Sequence, residues 1–295
     1  MERIGGKRIV NRKWVLPLVF ILPSLLFVLL VNIYPLLSGI AYSFTNKKLL
    51  GSGTFIGLKN YTDVFASEDF KKSIGFTLTF SISGVLGSFV FGLLAALLLN
   101  TNIPARSFFR SAMLLPWIVP SVVSVTCWRW MVLKDTSIIN AIITAFGGDP
   151  IYFLSDQKWA VVLVCALKIW KNFPFVAVSI LAALQGVNRN LFEAARLDGA
   201  NSWQVFWNIT WPHLIPVATT TTILLCIWCF NDFENLFLLT QGGPMNATTN
   251  IVILAYNYAF TKNSVGKASA MAILQLIVVL TFSLISMRNQ KQVEE

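Results

Sequence analysis

Long apolar runs alternate with short polar connections along the 295 residues of the chain. A helix needs about 20 mostly apolar residues to cross a bilayer. Six stretches reach that length, at roughly 15–40, 73–99, 111–131, 159–184, 214–238 and 267–287. The longest connections run to about 30 residues, too short for a separate soluble domain. The pattern predicts an all-α, polytopic membrane protein with six transmembrane helices. A short segment (1–14) precedes one membrane domain (15–287), and a tail follows (288–295). Pro17, Pro23 and Pro35 interrupt the first span, and Pro116 and Pro120 the third. Prolines leave backbone groups unpaired, which is tolerated where a helix is buried or lines a cavity. Span two carries Gly84, Ser88, Gly92 and Ala96, four apart on one face. Small residues at that spacing let a second helix come close in lipid.

Composition agrees with the pattern. The chain is 56% hydrophobic and 12% charged, where soluble domains carry about 25% charged residues. Its mean hydropathy is +0.68. The net charge of +10 sits between the apolar runs and at the ends, with no aromatic–basic stripe. Membrane-protein loops account for it, and nucleic acid is not implied. Arg3, Lys7, Arg8, Arg12 and Lys13 precede the first span, which predicts a cytoplasmic N-terminus. Six spans then return the C-terminus, with Arg288 and Lys291, to the same side. Basic residues otherwise divide almost evenly between the two sides, so charge alone does not orient the chain. The first apolar run is too long for a signal peptide and reads as a retained span. Trp128 and Trp130 suit the membrane interface, where Arg129 can snorkel.

Candidate chemistry is sparse. Cys127, Cys165, Cys226 and Cys229 all lie in or beside apolar runs. Cys226 and Cys229 form a lone CxxC, and the single histidine, His213, completes no usual zinc pattern with them. No P-loop, HExxH or GxSxG motif is present. The informative charges lie inside spans. Lys168 and Lys171, with Asn172, interrupt span four. A lysine there costs about 2.5–3.5 kcal/mol on insertion scales, so such residues face protein or water. Span five supplies Asn231, Asp232, Glu234 and Asn235, and Asp232 or Glu234 is a candidate partner for either lysine. Trp117, Trp170 and Trp228 are candidate platforms for the C–H faces of a sugar.

One polar stretch, Glu193 to Pro212 (EAARLDGANSWQVFWNITWP), separates spans four and five. Asn190 and Glu193 have capping-box spacing, Gly199 suits a helix C-terminal turn, Ser202 can cap a second helix, and Pro212 breaks the pattern. The stretch predicts a helix–turn–helix outside the membrane. It resembles the EAA loop of ABC-importer membrane subunits: Glu-Ala-Ala, three residues, Gly, nine residues, Ile, one residue, Leu-Pro. Here Glu193, Ala194, Ala195, Gly199, Ile209 and Pro212 match, and Trp211 stands where Leu is usual. YPLLSGIAYSF, FIGLKNYTDVF, WRWMVLKDTSIINAI, TQGGP and YNYAF extend the resemblance to carbohydrate importers of the maltose and glycerol-phosphate kind, from about residue 23 to 272.

The resemblance implies a type I importer permease, not itself an enzyme, in the bacterial cytoplasmic membrane with both termini inside. Glu193, Ala194, Ala195, Asp198, Gly199, Ala200, Ile209 and Pro212 would form the surface that docks an ATPase. Partners would be a second related permease, two ATPase subunits that bind ATP and magnesium, and an extracellular or periplasmic solute-binding protein that delivers a sugar. Aligning on LPWIVPS, KIWKNFP and FNDF carries the substrate path to Trp117, Ser121, Lys168, Lys171, Asn172, Cys229, Asn231 and Asp232. Two lysines would also suit an acidic saccharide. The alternative is an ion-coupled secondary transporter that uses Lys168 and Asp232 as a relay; it leaves the EAA stretch unexplained.

Overall fold

The computed structural model describes residues 12–294. Arg3, Lys7 and Arg8 of the predicted cytoplasmic segment, and Glu295 of the tail, lie outside the described residues. The described chain is helical, with one isolated bridge between Thr45 and Phe55. Helices α1 (Arg12–Val28) and α2 (Tyr34–Ser43) make the first span, followed by a short α3 (Lys59–Ala66) and a long α4 (Glu68–Asn100). Helices α5 (Arg106–Ile118) and α6 (Ser121–Val132) form a bent pair, and α7 (Ile138–Ala145) leads to α8 (Gln157–Gly186). The polar stretch holds α9 (Arg189–Leu197) and α10 (Ser202–Val205), and α11 (Trp211–Phe230) continues inward. Helices α12 (Glu234–Thr240), α13 (Ile251–Tyr256) and α14 (Val265–Glu294) complete the chain.

Five helices are long and apolar enough to cross a membrane, and a sixth crossing is made if the bent pair counts as one span. The third predicted span is therefore not straight. Its halves meet at 94°, with the break at Val119 and Pro120. The fifth is also corrected. It does not run through 214–238 but spans Ser202–Phe230 and stops at Asn231–Phe233, where no proline stands.

Proline has a gentler effect elsewhere. Pro35 and Pro212 do not end their helices. Each follows a π turn, Leu29–Ile33 or Phe206–Thr210, in which the N–H of Tyr34 or Trp211 reaches back five residues. The turn is one residue wider than an α turn, and each proline stands directly after its closing N–H. The expectation that Pro212 breaks the pattern is corrected accordingly: Ile209 and Pro212 belong to the start of a span.

Helices α4 and α8 form the central pair. The small-residue stripe of α4 is buried all along, at Gly84, Ser88, Gly92 and Ala96. A Cβ on Gly92 would stand 2.5 Å from Val176 Cβ and 2.9 Å from the Phe173 carbonyl. The approach of α8 thus depends on that missing side chain. Around the pair, Ala96, Leu99, Ile180, Leu184 and Leu214 pack at the end that carries α9, and Phe76, Phe80, Leu163 and Leu236 pack toward the other end. Helix α3 is clamped at that other end. Buried Asn60 donates its Nδ2 to the carbonyls of Ser43 and Thr45 at 2.8 and 2.7 Å. Lys267 pairs with Asp63 at 2.8 Å, and Lys262 with Asp69 at 3.2 Å.

Candidate substrate path and coupling loop

One span is broken at α5–α6 and another ends at the α11–α12 break, and α8 carries a lysine to each. At the α5–α6 break, Lys171 Nζ donates to the Val119 carbonyl at 3.3 Å and to Ser121 Oγ at 3.0 Å. It thereby satisfies a carbonyl that the break releases from helical pairing. At the α11–α12 break, Lys168 Nζ donates to Asp232 Oδ2 at 2.7 Å and to the Trp228 carbonyl at 3.4 Å. Both side chains of this ion pair are almost wholly buried, at 6% and 4% exposure.

The second break is tied down from all sides. Asn235 donates its backbone N–H and its Nδ2 to the Asp232 carboxylate. Asn250, which also caps α13, donates to the Asp232 carbonyl at 2.7 Å. Gln275 of α14 donates to the Phe230 carbonyl at 2.9 Å and to Asn231 Oδ1 at 3.1 Å. Asn231 Nδ2 returns to the Ile227 carbonyl. Carbonyls that no helix can pair are thus paired by side chains from three other elements, which is the condition for irregular backbone in lipid.

An aromatic row runs beside Lys171. Trp117 and Phe175 have ring centroids 5.8 Å apart, and Phe175 and Trp228 4.8 Å. Trp117 stays half-exposed and Trp228 partly so. Trp170, expected as a third platform, packs instead on Trp128 at 5.7 Å. The predicted path residues therefore divide. Trp117, Ser121, Lys171 and Asn231 are reachable from outside the chain. Lys168, Asn172, Cys229 and Asp232 are buried among α4, α8 and the break. Cys229 faces Gly84 across that seam. Phe175 and exposed Glu234 were not among the predicted path residues. Phe175 is four residues past Lys171 on α8, so helical spacing alone was enough to find it.

The polar stretch folds as a helix–turn–helix, with different caps from those predicted. Asn188, not Asn190, caps α9, accepting the Asn190 N–H at 3.0 Å. Asn201, not Ser202, caps α10, in a reciprocal box with Gln204 at 2.9 and 2.8 Å. Between them Gly199 has φ +75°, and the N–H groups of Gly199 and Ala200 close onto the carbonyls of Arg196 and Ala195. This is a Schellman turn, and its left-handed residue favours glycine. Glu193, Ala194, Asp198 and Gly199 are exposed, Ala195 and Ala200 half-buried, and Leu197 is 89% exposed. None of residues 190–197 of α9 is fully buried. Trp203, Phe206, Trp207 and Trp211 interlock in the turns that follow.

Comparison with known proteins fits these features. Residues 88–294 match the model of binding-protein-dependent transport system inner membrane components. The chain belongs to that family. It is 34% identical to the trehalose/maltose transport system permease protein MalF of Thermococcus litoralis, over 91% of each chain. It is 32% identical to the inner membrane ABC transporter permease protein YcjO of Escherichia coli K12, over 92% of this chain and 93% of the relative. Its fold matches a chain of the bacterial alginate ABC transporter solved with an alginate pentasaccharide-bound periplasmic protein, with a TM-score of 0.83 and 24% identity over 97% and 98% of the two chains. That likeness is one of fold. The protein is thus a multi-pass membrane permease of the ABC importer type, and nothing in these comparisons favours the ion-coupled alternative.

Proposed function

We propose that this chain is one of two related permeases in an ATP-driven sugar importer. Its half of the substrate path is the surface of Trp117, Ser121, Lys171, Phe175, Trp228, Asn231 and Glu234. The observation that carries this reading is the meeting of two breaks on α8 beside an open aromatic row. Sugars are bound by aromatic faces against C–H surfaces and by several donors and acceptors. Trp117 and Trp228 offer faces, while Lys171, Ser121, Asn231 and Glu234 offer polar groups. Relatives named for trehalose and maltose transport support a saccharide cargo. Lys171 also suits a carboxylate-bearing saccharide.

The α9–Gly199–α10 unit is the coupling element. It stands clear of its own chain and keeps Glu193 and Leu197 free for a separate ATPase subunit, which binds ATP and magnesium. Two such ATPase subunits, closing on ATP, drive this loop and its counterpart on the partner permease together. The motion is passed through α8 and α11, which flank the loop and carry the path, and turns the cavity outward. A solute-binding protein delivers the sugar there. This arrangement requires the loop and both termini to lie on the cytoplasmic side.

The test is reconstitution of the chain in proteoliposomes with its partner permease, ATPase and binding protein. Uptake of labelled maltose, trehalose or an acidic oligosaccharide should require ATP and the binding protein. Uptake by the chain alone under an ion gradient would overturn the reading.

A further inference from the structure

A second site lies away from the path, at the end of the molecule that carries α9. Ile103 and Met113 pack there beside Leu184 and Leu214, which flank the polar stretch. Between the end of α4 and the start of α5 runs a groove of about 370 Å³, lined by Ala95, Leu98, Ile103, Pro104, Phe109 and Met113 among only apolar side chains. Leu98 and Phe109 remain 61% and 50% exposed beside it. The volume is within the range of small-ligand sites, on the order of 300–1,000 Å³.

Arg106 and Arg110 stand on α5 three residues before Phe109 and Met113, on the neighbouring row of the same helix. Both are half-buried. Among the described residues neither guanidinium takes part in an ion pair. Arg106 Nε, Arg110 Nε and Arg110 Nη2 are closed off from water and find no acceptor. Arginine normally spends its donors on carboxylate, phosphate or carbonyl oxygens. Two guanidiniums without a counter-charge among the described residues, their inner nitrogens shielded from water, hold an anion more strongly than fully exposed arginines do.

We propose that this groove holds one anionic phospholipid, with an acyl chain against Leu98, Phe109 and Met113 and the headgroup phosphate at the outer nitrogens of Arg106 and Arg110. An apolar groove with two basic side chains on the adjoining row of the same helix is the chemistry that suits such a lipid, tail and headgroup together. A helix from a partner subunit fits less well, because it would have to place two carboxylates opposite the same two arginines. The site is independent of the substrate path and does not rest on the cargo.

The experiment is native mass spectrometry of the assembled transporter, released from nanodiscs of phosphatidylcholine with or without phosphatidylglycerol. Retention of one phosphatidylglycerol per copy of this chain is expected. Arg106→Gln with Arg110→Gln should lower that retention about tenfold or more. Arg106→Lys with Arg110→Lys should retain an intermediate amount, and stands in should the first variant fail to assemble. Excess inorganic phosphate should leave the lipid in place, since the tail is part of the site. Equal retention in the glutamine variant, equal retention of phosphatidylcholine, displacement by phosphate, or a disulfide from Phe109→Cys to cysteines placed on the partner permease would each overturn the proposal.

Discussion

Lys168 and Asp232 spend their charges inside the chain, whereas Glu193 and Leu197 spend nothing there. The first pair sits at 2.7 Å between α8 and the α11–α12 break, with Asn235, Asn250 and Gln275 completing the pairing around it. The α9–α10 loop is ordered by its own caps and by Gly199, and none of residues 190–197 is fully buried. In lipid an unpaired polar group has no water to fall back on, so the chain must settle that account internally. In water a preformed loop can wait for a partner at little cost. The contrast separates residues that hold the permease together from those that remain free on its surface.

The largest effect should come from splitting the buried pair. Lys168→Met leaves the buried Asp232 without its counter-charge, and should cost about 3–5 kcal/mol. Thermal unfolding of the assembled transporter in mild detergent measures it. Lys168→Met combined with Asp232→Leu should recover most of the loss, since buried pairs contribute little net stability against apolar replacements. A neutral single variant would break the comparison. Next comes the helix seam. Gly92→Leu pushes a side chain into Val176 and the Phe173 carbonyl, and should cost about 1–3 kcal/mol in the same assay.

On the other side of the comparison, stability and function should part. Gly199→Val strains one left-handed residue by roughly 1–2 kcal/mol, confined to the loop. Glu193→Lys should leave the unfolding midpoint unchanged. Both should uncouple ATP hydrolysis from uptake in proteoliposomes while membrane insertion persists. Normal coupling in both variants would remove the loop from the drive mechanism.

The smallest effect is at the α3 clamp. The Lys267 hydrogen bond holds the Asp63 carboxyl below its ordinary value. Its folded pKa is therefore depressed, so the pair's contribution is complete above the unfolded value of about 3.9 and is lost as pH falls through the folded one. Both partners are about a third exposed, so solvent screening keeps the contribution near the low end of about 0–1 kcal/mol. Asp63→Asn should lower the neutral plateau of a stability–pH profile by that small amount and flatten its acid limb below pH of about 4.

The spans and the loop were legible because their signals are local. Twenty apolar residues announce a crossing, and a polar stretch with Gly199 in its middle announces a turn. The breaks were less so. Pro116 and Pro120 flagged the third span, but nothing near them in sequence encodes a 94° bend. The α11–α12 break has no proline. It exists because Lys168, Asn250 and Gln275, far apart in sequence, converge on residues 230–232. The caps slipped by one or two residues because asparagines crowd both sites, and either Asn188 or Asn190 satisfies the pattern. Pro212 misled because the helix continues into it through a π turn. Among the path candidates, sequence placed Lys168 and Lys171 on one face and offered Asp232 as a partner, which Lys168 takes; it did not offer the Val119 carbonyl and Ser121, which Lys171 takes.

The most direct test of the account is a cross-link from the loop. Leu197→Cys, with exposed Cys127 changed to serine, would be treated with a short bifunctional thiol reagent in the complete transporter. The account predicts an adduct with a P-loop ATPase subunit, formed in membranes that carry out ATP-driven uptake and altered in yield by ATP. Labelling of Leu197→Cys without any adduct to an ATPase, in membranes that still transport, would contradict it.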